Sequence, residues 1–252
     1  MDKKVSLLIG KCLALVLLLM LMMPSLPAAD GQGSAEAGYA AGDYVIFGHY
    51  PQTADGTDST PIEWLVLDFD EADNRILLIS RYGLDTKLYH PEYIFMTWEE
   101  CELRGWLNGE FMDCAFSADE QAAILTTDVD NSDDQGYGEW NTSGGNNTQD
   151  RIFLLSYAEA NKYLGVTYDD SKNTKSRVAP TAYAIKQGAY TSSSNKTVQE
   201  TNAVWWWLRS PGSEQFLGAF VSTEGSLRYF NIDNSSGCVR PALWIDLESG
   251  IF

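Results

Sequence analysis

The sequence predicts an α+β domain on three observations. Strand patterns stand near both ends of the chain, helix-start signals stand between them, and aromatic residues make up 12% of the composition, enough to argue for a packed core rather than disorder. The first strand is the apolar run Tyr44-Val45-Ile46-Phe47. Two more runs, Ile62 to Leu67 and Arg75 to Ile79, flank the acidic turn Glu71-Ala72-Asp73-Asn74 and read as a β-hairpin.

Three helix starts follow, each a capping box in which a hydroxyl accepts from the backbone three residues on while a glutamate reaches back. They are Thr97-Trp98-Glu99-Glu100, Ser117-Ala118-Asp119-Glu120 and Ser156-Tyr157-Ala158-Glu159. The first helix carries Leu103, Trp106 and Leu107 on one face, with Trp106 as a structural anchor. The third ends at Gly165, a residue suited to the left-handed position after a helix. A fourth short helix runs from Thr181 toward Gly188. The polar stretches Asp128 to Asp150, Tyr168 to Arg177 and Ser192 to Asn195 read as surface loops.

The C-terminal part is β again. One strand runs from Ala203 to Arg209, a hairpin joins Gly218–Val221 to Leu227–Phe230 across Glu224-Gly225, and Val239 to Ile245 closes the domain. Strands at both ends imply that the two ends share one sheet region.

The 252-residue chain opens with Lys3 and Lys4, an apolar run from Cys12 to Met23 and small residues at Pro27-Ala28-Ala29, the layout of a secretory signal. An uncleaved N-terminal anchor is the competing reading, against which the apolar run falls short of the ~20 residues that span a bilayer. The organisation expected is a signal (or anchor) over 1–29, a Gly/Ala-rich linker over 30–41 and a single globular domain over 42–252. Residues 1–29 hold three lysines and one aspartate, and without them 14 basic and 34 acidic residues remain, a net charge of −20. That balance excludes nucleic acid and anionic lipid as expected partners, because phosphate repels so acidic a chain. Membrane contact is expected only through residues 1–29, if they are retained.

Motif chemistry is sparse. Cys101, Cys114 and Cys238 form no CxxC pair, so no zinc site is indicated. His49 and His90 each stand alone in sequence, and no GxSxG, HExxH or phosphate-binding loop occurs. Carboxylates are so plentiful that no glycosidase-like pair can be singled out. Asp128, Asp130, Ser132, Asp134 and Glu139 place oxygens at positions 1, 3, 5, 7 and 12 of a calcium-loop spacing. Against calcium, Asp133 stands where the sharp turn needs glycine, and Asn141 to Gly145 cannot form an exiting helix. A plain solvated acidic loop is the alternative, and no other cofactor is expected.

The stretch Trp205-Trp206-Trp207-Leu208-Arg209-Ser210-Pro211 is apolar on both faces of a strand until Arg209, which marks a central, covered strand. Trp206, Arg209 and Arg240 are therefore read as structural, the two arginines bracing loops or pairing with buried carboxylates. The candidate ligand-facing residues are Trp205 and Trp207, with Arg228, Tyr229, Phe230 and Asn231 of the hairpin. By alternation, Arg228 and Phe230 share one face and Tyr229 the other.

The blocks "IEWLVLD", "ILLISRYGLD", "TWEECELRGWLNGEF", "AFSADEQAAI", "FLLSYAEANKYLG", "WWLRSPG" and "CVRPALW", in this order, resemble a large bacterial family of secreted or surface proteins known as a domain of unknown function and common in gut Clostridia. The resemblance spans roughly 42–247. Its C-terminal progression from a Trp-rich strand through "RSPG" and a Gly-turn hairpin to "VRPAL" is also similar to C-type-lectin-like domains of the formylglycine-generating-enzyme type. That similarity implies a C-type-lectin-like fold, with antiparallel strands at both ends and three to four short helices between. It does not imply the oxidase activity, which uses a pair of C-terminal cysteines where this chain has only Cys238. The function expected is an extracellular binding or interaction module for a glycan, peptide or protein surface. The alternatives are a secreted hydrolase acting on cell-wall or dietary polymers and a purely structural surface domain.

Overall fold

The computed structural model describes residues 38–133, 141–170 and 172–252. The expected signal over 1–29, most of the linker, and Asp134 and Glu139 of the calcium spacing lie outside the described residues. Tyr39–Phe252 forms one compact α+β unit, strand-rich with few short helices. No helix among the described residues is long and apolar enough to cross a membrane.

Four antiparallel strands make the first sheet. β1 (Tyr44–Tyr50), β2 (Thr60–Asp70) and β3 (Arg75–Ser80) follow one another, and β13 (Ala242–Asp246) returns to pair with β3, so the order is β1-β2-β3-β13. Ala242 sits opposite Ile79 and Asp246 opposite Arg75. The two ends of the domain therefore close one sheet. β3 is apolar at almost every position and buried from Ile76 to Ser80, as befits a strand covered on both faces.

The second sheet is assembled from β4 (Asp85–Thr86), β9 (Trp206–Pro211), β10 (Leu217–Val221), β11 (Leu227–Asn231) and β12 (Cys238–Val239), in the order β11-β10-β9-β12-β4. The expected strands over 203–209 and 239–245 are each divided. Asn202–Val204 forms β8, which pairs with β7 (Thr191–Lys196), and Trp205 is the step at which the chain leaves that hairpin for the second sheet. Arg240-Pro241 makes the corresponding step between β12 and β13, since proline cannot donate to a ladder. Ser192 to Asn195, expected as a loop, lies within β7. Its pairing is supplied by β8 rather than by side-chain alternation. The long polar stretch 128–150 is clasped at its ends by β5 (Thr127–Val129) and β6 (Thr148–Asp150).

The helices lie between the two halves of the chain. α1 (Glu102–Trp106) passes through a π-turn at Leu107–Phe111 into α2 (Met112–Ala115). It does not start at the Thr97 box. Trp98 is buried, donates its indole N–H to Asp150 at 2.8 Å and holds 98–100 in turns, so Cys101 becomes the cap, its Sγ accepting from Arg104 N. α3 (Ala118–Ala123) and α4 (Tyr157–Leu164) do form full capping boxes, at Ser117/Glu120 and Ser156/Glu159. α4 ends at Gly165 with φ 67°, and α5 (Ala182–Gln187) runs from the Thr181 cap to Gly188 with φ 116°.

Candidate functional site

The three tryptophans divide their duties. Trp206 is fully buried, donates to Ser176 O at 3.1 Å and carries the Arg240 guanidinium on its ring at 5.0 Å. Trp207 is also fully buried, and its indole N–H donates to Lys87 O at 3.0 Å. It was expected to face a ligand, and that reading is corrected: a sealed ring with a satisfied N–H presents nothing outward. Trp205 is 8% exposed and stands edge-on to Trp207 at 4.7 Å. The chain step at Trp205 turns its ring toward the β10–β11 hairpin, where Phe220 lies 4.8 Å and Phe230 6.5 Å away.

These rings form the floor of an open groove of ≈ 260 Å³, walled by Tyr190 and rimmed by Thr223, Asn234 and Ser236. Hairpin register explains the set. Phe220 pairs with Arg228 and Gly218 with Phe230, so all four point to one face. Phe230 is 47% exposed and Tyr190 58% exposed, so two rings are open to an incoming ligand while Trp205 and Trp207 support them from behind. The rim is polar but only partly spent. Thr223 Oγ1 accepts from Asn195 at 2.9 Å, and Asn234 Oδ1 accepts from the Ser236 N–H and hydroxyl at 2.9 and 2.7 Å. The Asn234 side-chain NH₂ makes no hydrogen bond among the described residues. The groove lining contains no carboxylate, histidine or thiol.

Of the remaining expected residues, Arg228 shares the groove face by register, but its guanidinium turns to Tyr168, donating to Tyr168 O at 2.6 Å and lying 4.9 Å over the ring. Tyr229 and Asn231 alternate to the opposite face, where the Tyr229 Cβ packs close to Gly212. None of these three lines the groove. Sequence reasoning missed Phe220, Tyr190 and Asn234. Phe220 was within reach, since counting back across the Glu224-Gly225 turn sets it on the Phe230 face. Tyr190 and Asn234 carry no local signal and arrive by tertiary packing, with Tyr190 N donating to Ser236 O at 3.2 Å.

The other chemistry-bearing residues lie elsewhere. Arg209 is buried and bound to Glu159, Asn131 and two carbonyls. Trp106 is half-buried, stacked under the Lys87 ammonium at 4.7 Å. Asp128 sits in β5, Asp130 Oδ1 accepts from Ser132 N at 2.8 Å, and no group of three or more metal-binding side chains converges among the described residues. His49 is exposed on β1 and His90 is half-buried. Asp85 is buried, accepts from the Tyr50 hydroxyl at 2.7 Å and lies 3.9 Å from the Lys87 ammonium. Burial pushes the Asp85 carboxyl above its ordinary range, the Tyr50 and Lys87 contacts opposing it. Cys101, Cys114 and Cys238 are free thiols.

No curated protein and no solved structure matched the chain. Residues 73–247, more than half of the chain and every residue of the groove, match a domain of unknown function, DUF6273, and the protein belongs to that family.

Proposed function

We propose that the domain is an extracellular binding module of an exported bacterial protein, built on a C-type-lectin-like scaffold, and that it holds a glycan ring in the groove over Phe230, Tyr190 and Trp205. The observation that carries this reading is the groove itself. It combines two exposed aromatic rings with a free amide donor and hydroxyl groups, a combination that suits the apolar faces and hydroxyl edges of a sugar. At ≈ 260 Å³ it takes one sugar unit rather than a long segment. Export is supported by the signal-like layout of residues 1–29. The hydrolase alternative finds no support at this place, because acid–base chemistry needs a titrating pair that the lining does not supply.

Glycan-array and pull-down binding with the purified protein tests the proposal. A retained glycan should lose about tenfold or more in affinity with Phe230→Ala or Tyr190→Ala, both exposed positions that leave the core intact. Retention of a peptide in place of any glycan, or glycan binding indifferent to Phe230, would overturn it.

A further inference from the structure

A second cavity lies away from the groove and has the opposite chemistry. Arg81, Lys175, Arg177 and Arg240 all line it, and its volume is ≈ 140 Å³. The concentration of charge is the unusual feature. Four of the 14 basic residues beyond position 29 meet at this one cavity, while none of the 34 acidic ones lines it. The chain assembles it from separate places: the end of β3, the turn at Thr174–Ser176, the β7–β8 turn and the step between β12 and β13.

Arg240 is the key wall. It is 4% exposed, donates Nε–H to Ser80 O at 2.8 Å and rests on the Trp206 ring, but its Nη1 is buried with no hydrogen-bond partner. No carboxylate pairs with it or with Lys175 among the described residues, whereas Arg81 is paired with Glu63 and stacked on Tyr44 at 4.7 Å. A buried guanidinium without an anion is costly, and a fork of fixed N–H donors matches an oxyanion two bonds at a time. Burial holds the Arg240 pKa down to about 10, the mark of a charge lacking its counter-charge. The hydroxyls of Thr174 and Thr201 add donors at the rim.

We propose that this cavity is a binding site for a small oxyanion, a carboxylate, sulfate or phosphate group, with Arg240 at its base and Lys175 at its mouth. At ≈ 140 Å³ it is about half the size of the groove and has room for one such group. Steering works in its favour at short range: in a chain of net −18, anions are repelled everywhere except where basic groups cluster. The site stands independently of the aromatic groove.

The test is thermal unfolding of the purified protein titrated with sodium sulfate, inorganic phosphate or glucuronate, at ionic strength held constant with sodium chloride. At least one anion should raise Tm with the logarithmic dependence on concentration of a native-state ligand, by roughly 5–10 °C at a hundredfold excess over Kd. Lys175→Gln, an exposed change, should weaken that anion about tenfold, and Phe230→Ala should leave it unchanged. In wild-type protein, the Arg240 Nε–Hε resonance should shift saturably, with the Kd that the Tm series gives. No rise above the sodium chloride control with any of the three anions, or an equal rise in Lys175→Gln, would sink the proposal. The three anions separate a carboxylate ligand from a sulfate or phosphate.

Discussion

Arg209 spends its donors inside the protein. Its Nε–H reaches Asn131 at 3.2 Å, Nη1 reaches Leu154 O at 2.8 Å and Glu159, and Nη2 reaches Asp130 O at 2.9 Å. Removing it strands the buried Leu154 carbonyl, the Asn131 amide oxygen and the Glu159 carboxylate, so Arg209→Met should cost about 3–5 kcal/mol in chemical denaturation. Arg75 pairs with Asp70 and Asp73 at the surface, and Arg75→Met should cost no more than about 1 kcal/mol. The cysteines offer a second check at this scale. Burial pushes the Cys101 thiol up to about 12 and raises Cys238 further, while Cys114 is exposed. Among these three, alkylation of native protein at pH 8 should mark Cys114 alone, with Cys101 and Cys238 labelled only after unfolding, as read by peptide mass mapping.

At the scale of elements, the turn between β10 and β11 is the most demanding. Gly225 has φ 90°, and a Cβ there would run into the backbone carbonyl of Asn173. Gly225→Ala should therefore destabilise by more than about 1 kcal/mol and disturb the groove, whose floor this hairpin carries. Ser156→Ala, which deletes one half of the α4 capping box, should cost about 1–2 kcal/mol by the same measurement. The capping boxes at Ser117 and Ser156 were legible because a cap is closed within four residues. The Thr97 box was not, because Trp98 and its bond to Asp150, 52 positions away, bind that stretch into turns. Strands were legible as patterns but not as units. Trp205 and Arg240-Pro241 break two of them at the points where the chain passes between sheets or hairpins, and only pairing partners define such points.

For the whole molecule, pH sensitivity follows from Asp85. Its folded pKa is raised above the ordinary 3.8, first by burial, with Glu110 adding and Tyr50, Lys87 and the Thr86 N–H opposing. A carboxyl with a raised folded pKa favours the fold fully below its unfolded value and loses that contribution as pH rises through the folded value. Asp85→Asn, which stays neutral, should gain relative to wild type between pH 4 and pH 7 in denaturant titrations, and an unchanged difference would show that Asp85 is not held high.

What the sequence determined by itself was local or periodic. It carried the α+β class, the turn at Gly225, the caps of α3, α4 and α5, and the alternation that puts Phe230 and Arg228 on one face. These depend on residues a few positions apart, whose geometry the backbone dictates. Tertiary structure alone decided that Trp205 opens to the groove while Trp207 is sealed, that Tyr190 and Asn234 complete it, and that four basic side chains from distant segments meet in one cavity. Those outcomes depend on which strands pair across gaps of tens to more than a hundred residues, and burial, not spacing, settles them.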